Sequence, residues 1–189
     1  MDRNFDFDPI KVKLIDSEDK LIPDILRWQH VDGISGMPDL HRLVRQDGVE
    51  FYTYWNRGRF IAADISAIIN NSVWFTYWMA VMPEFRSMGF GTKIFSLIAE
   101  MASDFGMPYM FLFDDFEQPG ISQKEKETRI RRQRLYKKLN FRILSDKKIH
   151  LSSKDIFVPA VIGHMTIPKI YETVEAAKAL LWENRFWQG

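Results

Sequence analysis

Hydrophobic and polar positions alternate along Ile10-Lys11-Val12-Lys13-Leu14-Ile15, the period of a strand with one face turned inward. Ser17 and Glu18 then open a helical segment running towards Trp28, and after Gly33 and Gly36 break the pattern, Pro38 with Leu40, Leu43 and Val44 predicts a second short helix. From Val49 the period returns to two. Glu50–Trp55, the turn Asn56-Arg57-Gly58, Arg59–Ile69, the turn Asn70-Asn71 and Val73–Met82 predict an antiparallel meander, because Asn and Gly accept the positive φ that tight hairpins demand.

Beyond the meander, Ile94, Leu97, Ile98 and Met101 fall at helical spacing, which predicts a helix from near Thr92 to Phe105 with Gly106 just past its end. Tyr109–Phe113 is continuously apolar, as a strand covered on both faces should be. Strand, helix and buried strand in succession imply a parallel pair joined by a right-handed crossover. Such a pair beside a meander opens a crevice at the strand ends, a common place for ligands. A polar loop, Asp114–Gln123, leads to a basic helix beginning at Thr128 or nearby and ended by Asn140. Phe141–Leu144 and Ala160–Ile167 read as a final hairpin, Lys147–Val158 as a long connection, and Pro159 as a strand-edge residue. Pro168 introduces a last helix, Ile170 to about Arg185, with Ile170, Val174, Ala177, Leu180 and Leu181 on one face. The expected fold is α/β of the α+β kind: a mixed central sheet, antiparallel meander plus parallel pair, with helices on both faces. With no internal repeat or linker, residues 1–189 read as a single domain.

Composition narrows the class. Hydrophobic residues make up 46% and charged ones 27%, the balance of a globular chain rather than a disordered one. Fifteen Phe, six Trp and six Tyr are enough to line a pocket as well as fill a core. A net charge of +1 gives no global pull towards nucleic acid or an anionic membrane. The absence of cysteine excludes disulfides, thiolate metal sites and a cysteine nucleophile, and fits a cytoplasmic location. The acidic N-terminus is no signal peptide, and no run approaches the roughly 20 apolar residues of a membrane span. His30, His41, His150 and His164 show no metal-ligand spacing, so no metal is expected.

The chemistry gathers in Val81-Met82-Pro83-Glu84-Phe85-Arg86-Ser87-Met88-Gly89-Phe90-Gly91-Thr92, between a buried strand and a helix start. The first N–H groups of a helix have no intrahelical partner and sit at the positive end of its dipole. Glycine lets a phosphate approach them, since no Cβ intervenes, and Arg86 adds charge. The physical expectation is a pyrophosphate cradle, although Gly-x-Gly alone serves equally as a turn and helix cap. About fifty residues on comes Arg131-Arg132-Gln133-Arg134-Leu135-Tyr136-Lys137-Lys138-Leu139-Asn140-Phe141. Arg86-x-x-Gly89-x-Gly91 together with this segment resembles the Gcn5-related N-acetyltransferases (GNAT family), over roughly residues 73–145 in its motifs.

The resemblance implies acetyl transfer from acetyl-CoA, as co-substrate, to a primary amine by direct attack in a ternary complex. It implies that the backbone of Met79, Ala80 and Val81 pairs with the pantetheine arm. It implies, too, that Arg86, Ser87, Met88, Gly89, Phe90, Gly91 and Thr92 hold the pyrophosphate, and that Arg129 and Arg132 lie near the 3′-phosphate. Tyr136 matches the position of the acid that hands a proton to the leaving sulfur; Asn140 stands where the family has glycine. No carboxylate lies between Val73 and Val81, so the family's strand base has no counterpart there. Asp115 and Glu117, sharing a face if the chain stays extended, are the candidate base or attract a cationic amine, with Asp64 an outlying alternative. The acidic residues beside many aromatics point to a small-molecule amine. The rival reading is a non-catalytic acyl-CoA-binding regulatory module. Lys124–Lys138 holds eight basic residues against two acidic ones, but with no second basic patch no nucleic-acid partner is expected. Trp182, Phe186 and Trp187 at the chain end leave a homodimer open.

Overall fold

The computed structural model describes residues 4–7, 10–15, 46–150 and 156–181. The two helices expected between Ser17 and Val44, and the aromatic cluster Trp182, Phe186 and Trp187, lie outside them. The strands are β1 (Asn4–Phe7), β2 (Ile10–Ile15), β3 (Val49–Asn56), β4 (Arg59–Ile69), β5 (Val73–Val81), β6 (Tyr109–Asp114), β7 (Arg142–Ile143), β8 (Ile149–His150) and β9 (Ile156–Ile162). They form one sheet in the order β1-β2-β3-β4-β5-β6-β9-β7, with β8 also on β9. All neighbours are antiparallel except β5 and β6. The helices are α1 (Phe90–Asp104), α2 (Gln123–Lys138) and α3 (Ile167–Leu181).

The meander is the one expected, and its turns show why. Arg57 and Gly58 have φ of 49° and 76°, and Asn70 and Asn71 of 50° and 52°, the left-handed pairs that match a hairpin's twist. Side chains alternate between two cores. Tyr52, Tyr54, Trp74, Tyr109 and Phe111 face α1 and α2, meeting Ile94, Ile98, Met101 and Tyr136. Phe51, Ile65, Phe75, Met110 and Val161 face α3, meeting Ile170, Val174 and Ala177. Of the predicted α3 stripe, Ile170, Val174 and Ala177 are thus buried against the sheet and Leu180 is partly buried there.

Several boundaries differ from the sequence reading, among them the last strand, which ends at Ile162 rather than Ile167. The basic helix starts at Gln123, not near Thr128, because Ser122 caps it: its hydroxyl accepts the Glu125 N–H at 3.2 Å. The last helix starts at Ile167, with Pro168 in a first turn that needs no N–H, and Thr166 carbonyl accepts the Ile170 N–H at 3.1 Å. Pro159 is inside β9, between β6 and β7, rather than at an edge, and the supposed connection Lys147–Val158 contains β8 and the start of β9. The Pro159 carbonyl accepts the Leu144 N–H, so its donorless nitrogen faces the gap where β7 has ended and β8 has not begun.

Candidate active site

The site begins where two strands part. β5 pairs with β6 only through Trp74, Phe75 and Thr76, which lie opposite Tyr109, Met110 and Phe111. On its other side, β5 stays paired with β4, but the register slips: Ser66 lies opposite Thr76 and Ile65 opposite Trp78. Tyr77 is therefore an extra residue, a bulge, and a bulged strand bends. From Tyr77 onward β5 leaves β6, which turns to β9 as its remaining partner. Met79, Ala80 and Val81 retain β4 on one side and open a strand edge on the other, the geometry for adding an extended ligand as a further strand.

This edge leads to the glycine loop. After the 3-10 turn Pro83–Phe85, Arg86 Nε donates to the Val81 carbonyl at 3.1 Å. Ser87 and Gly89 then take φ of 63° and 83°, folding the backbone back on itself. Gly89 is the N-cap of α1 and has no side chain to cap it; Lys93 N–H is the first to find a carbonyl of this turn, that of Gly89. The earlier helical N–H groups of Phe90, Gly91 and Thr92 point out of the helix start, as an anion requires. A Cβ at Gly89 would meet no protein atom within 4 Å, and one at Gly91 only Val81 Cγ2 at 3.7 Å. Packing does not require either glycine to lack a side chain; space above the loop is what they keep clear.

Facing the loop is α2. Ser87 with Thr128, Arg131, Arg132, Arg134, Leu135 and Lys138 lines a crevice of about 580 Å³. Arg132 lies there, half-exposed and 3.9 Å from Asp114. Arg129 does not: it turns inward, donating to the Asp115 carbonyl at 2.9 Å and Gln118 Oε1 at 2.8 Å while pairing with Glu125. Arg131, Arg134 and Lys138 join Arg132 in the crevice, beyond the residues the motifs point to. Thr128, Arg131, Leu135 and Lys138 fall at successive helical steps, so a face count against buried Gln133 and Tyr136 was the available signal.

Tyr136 sits in an aromatic nest, edge-on to Phe111 at 4.7 Å and Phe95 at 5.3 Å, and tilted to Phe113 at 5.2 Å. It covers β6 from Phe111, the last residue paired with β5, to Phe113 beyond that pairing. Among the described residues none hydrogen-bonds its hydroxyl, which feels Arg132 and Asp114. Burial outweighs the Arg132 charge and pushes the phenol up to about 12. Asn140, at φ 63°, supplies the left-handed helix end that glycine would, and Phe141 N–H returns to the Tyr136 carbonyl at 3.0 Å.

Asp115 and Glu117 do converge, but on a cation. Lys148 Nζ lies 2.7 Å from Asp115 Oδ2 and 2.9 Å from Glu117 Oε2. Asp115 Oδ1 also accepts the Glu117 N–H at 3.2 Å, so the buried aspartate organises the β6–α2 loop. Asp64 is wholly buried in β4; Tyr54 and Ser66 hydroxyls both donate to it, and Ser66 Oγ is 2.9 Å from Thr76 Oγ1. Burial pushes its carboxyl up to about 7 against the opposing effect of these hydrogen bonds.

Residues 36–115 match the model of the family described as acetyltransferase (GNAT) domain. No curated protein matches the chain. Among solved structures, a protein of Bacteroides thetaiotaomicron assigned to the GNAT acetyltransferase family is 14% identical, with 90% of this chain and 97% of that one covered at a TM-score of 0.66. An aminoglycoside 6′-N-acetyltransferase complexed with coenzyme A is 10% identical over 82% and 99%, TM-score 0.61. A GNAT acetyltransferase of Elizabethkingia anophelis with acetyl-CoA bound is 12% identical over 84% and 100%, TM-score 0.57. At such identities the structural likeness is one of fold. Residues 36–115 thus match the GNAT acetyltransferase domain and the fold is shared with structures of that family, which bears out the resemblance read from the motifs.

Proposed function

We propose that this protein is an N-acetyltransferase that moves the acetyl group of acetyl-CoA to a primary amine of a small molecule, by direct attack within a ternary complex. One observation carries the reading: β5 parts from β6 directly in front of an uncapped, glycine-opened helix start and a cation-lined crevice. Pantetheine pairs along Met79–Val81, the pyrophosphate rests on Arg86–Thr92, and Arg131, Arg132, Arg134 and Lys138 meet the 3′-phosphate end. Tyr136 donates a hydrogen bond to the departing sulfur. With its hydroxyl at about 12, full ionisation to a thiolate of ordinary acidity is uphill, so it stabilises developing charge and water completes the protonation. The Lys148 clamp argues against Asp115 or Glu117 as the base and suits them to holding the loop. The cysteine-free chain suits a reducing cytoplasm.

The same clamp is what favours the second reading, an acyl-CoA-binding module without turnover. Incubation with acetyl-CoA and a panel of amines, followed as free thiol, separates the two. Amine-dependent thiol release supports the transferase; micromolar binding of acetyl-CoA in calorimetry with no release from any amine supports the module.

A further inference from the structure

The face of β4 on the α1 side of the sheet carries a polar line where its surroundings are apolar. Asp64 lies opposite Met79 of β5 and Tyr52 of β3, and Ser66 lies opposite Thr76. On this side of the sheet α1 contributes Ile94, Ile98 and Met101 to the core, and β2 contributes Ile10 and Val12. Burying a carboxylate and two hydroxyls there is costly unless each is hydrogen-bonded, and the bonding has a direction. Tyr54 donates to Asp64 Oδ1 and Ser66 to Oδ2. Ser66 has then spent its hydrogen, so in the 2.9 Å contact with Thr76 it accepts, and the Thr76 hydroxyl points its hydrogen inward. Thr76 is also the last residue of β5 paired with β6, at the apex of the crevice.

We propose that Asp64 accepts the proton shed by the amine, acting through Ser66 and Thr76 as a two-hydroxyl relay from the apex of the β5–β6 crevice. This rests on the transferase reading above. In the step, an ammonium N–H bond breaks and its proton joins Thr76 Oγ1. The Thr76 hydrogen passes to Ser66 Oγ, and the Ser66 hydrogen to Asp64 Oδ2. The amine becomes neutral, Asp64 becomes a carboxylic acid, and both hydroxyls are restored. The free amine then forms the C–N bond as the C–S bond breaks. Asp64 touches no substrate, so it acts through its neighbours. Its carboxyl, raised to about 7, is in the range of an effective base near neutrality. The titratable groups acting on it among the described residues are Tyr54 and Glu50 of β3 and Tyr109 of β6; the facing residues of α1 and β2 named above are apolar.

The test compares the parent with Thr76→Val, Ser66→Ala and Asp64→Asn, each checked by thermal unfolding and acetyl-CoA calorimetry. For the parent, kcat/KM should rise with pH along a limb near neutrality. Thr76→Val, which keeps the shape but breaks the wire, should bind acetyl-CoA normally, lose that limb, and slow by at least about tenfold. Ser66→Ala should do the same. Independently of turnover, difference infrared spectra from about pH 5 to about pH 9 should show one buried carboxylic acid ionising, absent in Asp64→Asn. A folded Thr76→Val enzyme with the parent's rate and pH limb overturns the relay. So does a carboxyl that holds one protonation state across that range, a result readable even if the parent acetylates no amine, when it is the transferase reading that fails.

Discussion

Gly89 combines two demands that an L side chain cannot meet together. Its φ of 83° is left-handed, and the space a Cβ would take is clear of protein. Gly89→Val should therefore weaken acetyl-CoA binding at least tenfold in calorimetry, through strain of about 1–2 kcal/mol and intrusion on the phosphate. Gly91 has no such φ and only an ordinary contact, so Gly91→Ala should fold as well as the parent, and any loss of affinity there reports the ligand alone. Unchanged affinity in Gly89→Val removes the cradle. Tyr136→Phe keeps the ring contacts with Phe95 and Phe111 and deletes only the hydroxyl. It should lower kcat about a hundredfold with acetyl-CoA affinity nearly intact, because the bond matters as charge develops on sulfur. An unchanged acetyl-transfer step in pre-steady-state measurements would make Tyr136 a packing residue. The glycines and Tyr136 were legible because their signal is local: a spacing within one loop or helix. The Asp64 cluster was not. Tyr54, Asp64, Ser66 and Thr76 come from three strands, and only the register, slipped by the Tyr77 bulge, brings them together. Lys148 reaches Asp115 across more than thirty residues for the same kind of reason.

At the level of elements, the meander, α1 and the parallel pair could be read from period and turn residues, since each declares its own geometry. α2 shows the reverse case. Its hydrophobic pattern is nearly absent, so periodicity points to a start near Thr128, although Ser122-Gln123-Lys124-Glu125 has the spacing of a capping box. Ser122→Ala should cost about 1 kcal/mol of stability by removing the bond to the Glu125 N–H. Because the crevice residues begin at Thr128, one turn further on, acetyl-CoA affinity should change by less than twofold. A large loss of affinity with little loss of stability in denaturant titration would place the first turn of α2 in the binding surface instead. β9 teaches a different lesson. Proline in a strand points to an edge, yet Pro159 occupies an interior strand because its missing donor meets a break between two short partners. Nothing in the sequence around Pro159 announces that break.

At the scale of the whole molecule, the described residues form a sheet with one core on each face, and the two cores make different predictions. On the α3 side, Ile170 is almost wholly buried against the sheet. Ile170→Ala should cost about 3 kcal/mol, roughly 10 °C in Tm for a chain of this size, without altering the crevice. On the α1 side the prediction concerns pH. An ordinary carboxylate favours folding as pH rises; Asp64, raised to about 7 by burial, does the opposite. Below about pH 4 it is protonated in both folded and unfolded chains, and its contribution to stability is fully present. Between about pH 4 and about pH 7 the folded state keeps a proton that the unfolded state has released, so stability falls as pH rises. The fall approaches about 1.4 kcal/mol per pH unit where the two states differ by a whole proton. Asp146 and Glu172 are shifted the other way, but they are exposed, screened, and titrate below this window. Denaturant unfolding of the parent should therefore show stability declining from about pH 4.5 to about pH 7. Asp64→Asn, unable to ionise, should be less stable at the acid end, having lost an acceptor for Tyr54 or Ser66, and should show a flat profile. If the parent's slope survives in Asp64→Asn, the proton belongs to another group and Asp64 is ionised in the folded protein.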